Sequence, residues 1–152
     1  SYIQLWDTQL KLDQLWQMGW NQLPQVELLV LSACRTAMGD VRAELGFSGL
    51  AVQAGVKSAI GSLWYVSDGG TLALMSEFYK HLSQPDVTIK AEALRRGQIA
   101  MLQKKVRLEN GQLRGLDKLG DLSLPASLGA RGNQNFSHPY FWAGFTMIGS
   151  PW

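Results

Sequence analysis

The chain has 152 residues, 46% of them hydrophobic and 17% charged, a balance that lets burial offset chain entropy in one compact domain and excludes a disordered polymer. Fourteen Lys and Arg against 12 Asp and Glu leave a formal charge of +2, too small to argue for a nucleic-acid partner. One cysteine, Cys34, excludes an internal disulfide, and with only His81 and His138 beside it at no ligand spacing, no metal site is expected.

No apolar stretch approaches the roughly 20 residues that cross a bilayer, and no charged-then-apolar leader is expected. A lone free thiol goes most simply with a cytoplasmic setting. Six tryptophans favour a well-packed core or an aromatic-lined interface. Arg95-Arg96 and Lys104-Lys105 fall within a predicted helix and read as a solvated face.

Tyr2 to Trp6 reads as a short strand. "DTQLKLDQLWQMGW" sets Leu12, Leu15, Trp16 and Met18 at helical spacing, and Asn21 to Pro24 breaks that helix. Val26 to Leu31 is an apolar run of strand length without alternation, the pattern of a strand covered on both faces in a parallel sheet. After a polar loop, "GFSGLAVQAG" predicts a small-residue helix stopped at Gly55. "VKSAIGSLW" is the next buried strand, so strand, helix and strand form a crossover unit.

Ser67 or Asp68 is placed to cap a helix whose Leu72, Met75, Phe78, Tyr79 and Leu82 share a face, with Pro85 as its stop. A further helix runs from about Ile89 to Lys104 and turns Ala93, Leu94 and Met101 inward. In "VRLENGQLRG", Asn110-Gly111 is the type I′ pair between two alternating arms, hence a β-hairpin. Leu116 to Ser137 lacks periodicity and reads as a long loop. "YFWAGFTMIG" closes the chain as an apolar strand. Three core strands plus a small one at the start make an α/β/α layered domain with a mainly parallel sheet. Its open edge suggests strands missing on the N-terminal side, and exposes the chain to self-association.

Cys34 follows its predicted strand by a few residues, where open α/β sheets carry functional groups. A loop of small residues there leaves backbone N–H groups for an oxyanion. A buried, inert cysteine is the competing reading. The glycines Gly39, Gly46, Gly49 and Gly55 fit neither dinucleotide nor P-loop spacing, so no cofactor is expected and a flavodoxin-like nucleotide binder is a distant rival.

"LLVLSACRTAMGD", "ELGFSGLAVQAGVKSAIGSLWYVSDGGTLALMSEFY", "KAEALRRGQIAML" and "HPYFWAGFTMIG" together resemble, in this order, the C-terminal part of the CHAT domain. This is a caspase-like cysteine peptidase domain found beside tetratricopeptide repeats. The resemblance implies a caspase-like three-layer α/β/α sandwich over residues 1–152 and peptide-bond hydrolysis through a thioester at Cys34. It implies a protein or peptide substrate, with tetratricopeptide repeats or the N-terminal part of the domain as partners. The family's dyad histidine lies in a motif ahead of the matched segments, and neither His81 nor His138 corresponds to it. An inactive interaction module is therefore the alternative.

Asp68 reads either as a helix cap or, by the same resemblance, as a carboxylate in a pocket for Arg or Lys. Trp64 and Tyr65 are candidates to line the substrate groove, with core packing as the competing role of Trp64. Arg35 is divided between loop anchoring and thiolate support. Asp40 and Glu44 read as solvent-facing. His138 reads as a hydrogen-bonded structural residue and His81 as a boundary residue on its helix.

Overall fold

A computed structural model of the chain describes residues 2–4, 7–31, 42–115, 122–123 and 132–152. In chain order the elements are β1 (Tyr2–Gln4), β2 (Gln9–Lys11), a 3-10 helix (Leu12–Met18), β3 (Leu28–Val30), α1 (Arg42–Gln53), β4 (Ser58–Ser62) and α2 (Asp68–Leu82). These are followed by α3 (Lys90–Leu102), β5 (Arg107–Glu109), β6 (Gln112–Arg114), β7 (Leu122–Ser123), β8 (Gln134–Asn135), a 3-10 turn (Pro139–Phe141) and β9 (Phe145–Gly149). The fold is mixed α/β, in two compact units: Ser1–Tyr65 with Gly144–Pro151, and Val66–Ala143 with Trp152.

The first unit is built on a three-stranded sheet of order β3-β4-β9. β3 and β4 are parallel, with Leu28, Leu29 and Val30 opposite Ser58, Ala59 and Ile60. β9 runs antiparallel on the other side of β4, from Ser58 opposite Gly149 to Ser62 opposite Phe145. Every residue of β4 is buried, as the unbroken run of small and apolar residues requires of a central strand.

The connection from β3 to β4 passes through α1, whose Phe47 and Ala51 are buried, as is Ala54 just after it, and which packs on β4 and β9. Phe47 and Ala54 enclose Leu15 together with Leu10, Trp20, Leu31 and Leu50. Full burial of a Leu or Phe contributes about 1.5–3 kcal/mol each. α1 stops where the sequence says it should. Gly55 takes φ +114° and donates its N–H to Val52 O, while Val56 donates to Ala51 O. These are the paired bonds of a Schellman stop, and a side chain at 55 would collide with Asn21.

Among the described residues one pairing, β3 with β4, is parallel, and the other five are antiparallel. The expected helix after β1 is also different. Gln9–Lys11 instead pairs antiparallel with Tyr2–Gln4, and only Leu12–Met18 is helical, as a 3-10 helix in which Leu15 is buried while Trp16 and Met18 are exposed. Residues 9–11 join a ladder with β1 at the cost of the first helical turn, the Lys11 N–H donating to Gln14 Oε1 at 2.9 Å, and the shortened helix buries a narrower apolar face.

The second unit packs α2 against α3. Ala73, Leu74, Met75 and Phe78 of α2 and Ala93, Leu94, Ala100 and Met101 of α3 are buried, the recurrence at three and four residues that gives a helix one apolar face. Leu72 and Leu82 lie at the margin of that face and Tyr79 is exposed. α2 ends at Leu82, where Ser83 donates its N–H to Tyr79 O, two residues ahead of Pro85, which cannot continue a helix.

β5 and β6 form the expected hairpin, with Asn110 and Gly111 both at positive φ, 51° and 73°. Leu108 and Leu113 face each other across it and are buried. The stretch read as a long loop in fact supplies β7 and β8, which extend the hairpin into a sheet of order β7-β6-β5-β8. Each is a two-residue strand, too short and too polar to show alternation in the sequence. Phe136, just after β8, is fully buried and meets Phe141 edge to face at 5.4 Å. Among the described residues no helix is long and apolar enough to cross a membrane.

Candidate active site

The parallel ladder of β3 and β4 is prolonged at both ends. Lys57 donates its N–H to Val26 O at 2.9 Å, and Leu31 donates to Ile60 O at 2.8 Å. At the start of the ladder Lys57 Nζ meets Glu27 Oε1 at 2.6 Å. Leu31 is the last residue described before residues 32–41. Cys34, Arg35 and Asp40 fall in that stretch and lie outside the described residues, as does the side chain of Glu44 in α1.

Just past β4, three interactions shape the chain. The Ser62 hydroxyl donates to Trp64 O at 2.7 Å. Leu63 donates its N–H to Gly144 O at 2.9 Å. The indole of Trp64 lies against Gly144, where an added Cβ would come within 2.8 Å of Cε2 and 2.9 Å of Cδ2. Trp64 nonetheless keeps 36% of its surface accessible, and Tyr65 keeps 56%. Neither is a core residue, so the structure favours a surface role over core packing for Trp64.

In the second unit, Asp68 is exposed at the first helical position of α2. The cap is Ser67, whose hydroxyl accepts from Gly70 N–H at 3.2 Å. The choice left open in the sequence is thus settled for Ser67, and Asp68 is not the capping residue. Asp68 lies in the first turn of α2, where the positive end of the helix dipole favours a carboxylate.

Both histidines are engaged locally. His81 Nε2 lies 3.4 Å from Glu77 Oε2 and its Nδ1 lies 3.1 Å from Gln84 Oε1. Glu77, only 1% exposed, also receives Lys80 Nζ at 2.8 Å. A buried carboxylate that meets the Lys80 cation and the His81 ring explains why this amphipathic helix tolerates an acid on its inner face. His138 caps the 3-10 turn, its Nδ1 accepting from Tyr140 N–H at 3.2 Å. That is the structural role expected of it.

Among the described residues, the most perturbed titrating groups lie on α3 and the loop before it. Hydrogen bonds from Arg95 first, then Arg96, bring the Glu92 carboxyl down to about 2. Arg96 also reaches Asp86 at 2.9 Å and lowers it. These are surface ion pairs that join the start of α3 to the preceding loop, and the Arg95-Arg96 pair is therefore neutralised rather than available to an anion. Among the described residues no group of three or more His, Cys, Asp or Glu is placed to hold a metal ion.

Sequence reasoning passed over Ser62, Gly144 and Glu77. Ser62 and Gly144 carry no local signal, because their role depends on β4 and β9 lying side by side. Glu77 was detectable as an acid on the apolar face of α2.

A family model described as the CHAT domain matches residues 1–150. The searches of curated proteins and of solved structures return no match.

Proposed function

This chain belongs to the CHAT domain family, and on that footing we propose that it carries the nucleophile of a caspase-like cysteine endopeptidase, with Cys34 attacking the peptide carbonyl. The observation that carries the reading is the parallel β3–β4 pair. Leu31, still on the ladder, is three residues ahead of Cys34, a covalent reach of at most about 11 Å. In open α/β sheets such positions are where catalytic groups gather.

The chemistry runs in two halves. The Cys34 thiolate adds to the carbonyl carbon, and backbone N–H groups stabilise the resulting oxyanion. Collapse breaks the C–N bond, the amine leaving with a proton from a histidine, and gives a thioester. Water then attacks the thioester with the same histidine as base and releases the acid and the thiol. A free thiol ordinarily has a pKa of about 8.5, so the histidine is needed both to raise the thiolate fraction and to protonate the leaving group.

The histidine in this reading comes from outside these 152 residues, on a further segment or a partner chain, because His81 and His138 are held in local contacts. The reading entails a caspase-like three-layer sandwich in which a histidine-bearing strand lies beside β3. It assigns Trp64 and Tyr65 to the substrate groove and Asp68 to recognition of an Arg or Lys before the cleaved bond. Partners would be a protein or peptide substrate and neighbouring tetratricopeptide repeats, in the cytoplasm. The same local engagement of both histidines favours a second reading, an inactive domain that only binds partners.

Peptide cleavage by the full-length protein and by its Cys34→Ala variant separates the two. Cleavage that disappears in Cys34→Ala is the expected result. Cleavage that survives it sinks the cysteine-peptidase reading, and none in either form supports the interaction module.

A further inference from the structure

We propose that Ser62 and Gly144 are positioning residues that hold the indole of Trp64 as a fixed platform for a substrate side chain. The inference rests on the reading of Trp64 as a substrate contact and adds how that contact is set.

Trp64 stands two residues beyond the end of β4, where an exposed tryptophan ordinarily samples several rotamers. Here it is restrained from behind. Its carbonyl accepts the Ser62 hydroxyl at 2.7 Å, and the preceding residue, Leu63, is tied to Gly144 O at 2.9 Å. The atoms nearest to a side chain built at 144 are Trp64 Cε2 and Cδ2, at 2.8 and 2.9 Å, with Ser62 Oγ also at 2.9 Å. Cε2 and Cδ2 are the two ring-fusion carbons, which neighbouring ring atoms shield from in-plane approach. The indole therefore rests on Gly144 with its face.

Space, and not backbone conformation, is what requires glycine there, since Gly144 does not take a left-handed φ. Even an alanine methyl would press on both the indole and the hydroxyl that holds Trp64 O. Ser62, like Ser58 at the other end of β4, is a polar residue buried in the central strand. Its hydroxyl is satisfied by the backbone of the very residue that it positions. The arrangement fixes Trp64 while leaving a third of it open to solvent. A rigid aromatic surface of this kind binds without losing rotamer freedom on contact, and an indole face also suits a cationic substrate side chain.

The test compares two rates of Cys34 labelling in the full-length protein. One reagent is a peptidyl-arginine chloromethyl ketone, from whose chloromethyl carbon the thiolate displaces chloride. The other is iodoacetamide, which carries no peptide and reads the thiol alone. The ratio of peptidyl to iodoacetamide rate should fall about tenfold in Gly144→Ala and in Trp64→Ala. In the double variant it should fall no further than in Trp64→Ala. Ser62→Ala, which removes a hydrogen bond without adding bulk, should lower it about threefold, and keeps the test decisive if Gly144→Ala fails to fold. A ratio lost in Trp64→Ala but unmoved in Gly144→Ala and Ser62→Ala overturns the positioning role. So do effects that multiply in the double variant. A ratio unmoved in Trp64→Ala instead removes Trp64 from the substrate groove and this inference with it. Wild-type protein that neither reagent labels at Cys34 overturns the peptidase reading itself, and the platform with it.

Discussion

Leu31 donates its backbone N–H to the carbonyl oxygen of Ile60 at 2.8 Å, carrying the parallel ladder one residue beyond Val30. Ile60 is fully buried at the centre of β4, so this bond joins the strand that leads to Cys34 to the most enclosed strand of its unit. Truncating Ile60 leaves the bond but removes the packing around it. Ile60→Ala should destabilise the protein by about 2–5 kcal/mol, read as a lower urea midpoint at unchanged slope. A loss under about 1 kcal/mol would mean that β4 is not a packed central strand.

Ser67 and Asp68 adjoin in sequence but differ in task. Ser67 accepts the Gly70 N–H, so Ser67→Ala should cost about 1 kcal/mol of stability. Asp68→Asn leaves that cap intact and removes only a favourable first-turn charge, a matter of about 0.3–1 kcal/mol. Its expected effect is on selectivity: an active form should lose its preference for Arg or Lys before the cleaved bond. Unchanged selectivity would leave Asp68 with its helix-terminal charge as its whole contribution.

α3 ends on a non-glycine residue in the left-handed region. Lys104 has φ 59° and donates to Met101 O while Lys105 donates to Ala100 O, the same paired stop that Gly55 makes for α1. An L side chain there costs about 1–2 kcal/mol relative to glycine, and Lys104 is exposed with no packing to lose. Lys104→Gly should therefore raise the thermal midpoint, offset in part by the greater freedom of glycine in the unfolded chain. A lowered midpoint would show that its side chain supports the α3 terminus.

Much of this architecture is legible in the sequence for physical reasons. The β3–α1–β4 unit shows because two strand-length, largely apolar runs flank a small-residue helix; β4 is buried throughout, as such a run suggests, whereas the expected cover on both faces does not hold for β3, whose residues are only half-buried. The hairpin shows because Asn110-Gly111 is one of the few residue pairs that readily place two successive residues at positive φ. What stayed hidden depends on distant partners. Gln9–Lys11 extends because β1 is there to pair with it, and β7 and β8 exist because a formed hairpin offers them edges. Trp64 and Asp68 could each be singled out from the motif around them, whereas Gly144 and Ser62 acquire meaning only when β9 lies against β4. Cys34 is proposed as the nucleophile chiefly through the resemblance, since a single cysteine carries no pattern.

The α3 ion pairs make stability depend on pH in a definite direction. Glu92 is lowered from the usual 4.5 to about 2 by Arg95 and Arg96. A depressed carboxylate pKa contributes stability that is fully present above about 4.5 and is lost as pH falls towards 2. Glu92 is partly exposed, so solvent and salt screen the effect. Glu92→Gln should flatten the acid side of the stability profile between those values, most visibly at low ionic strength. A profile identical to wild type at low salt would mean that the pairs do not persist in solution.

The most direct measurement of the central claim is the pH dependence of Cys34 alkylation by iodoacetamide in the full-length protein, with Cys34→Ala as the blank. A nucleophile paired with a histidine should react with a midpoint well below that of a free thiol, under about pH 7.5. It should also react faster than a model thiol at pH 7. A midpoint near 8.5 with an ordinary rate would identify Cys34 as an unactivated thiol and contradict the account.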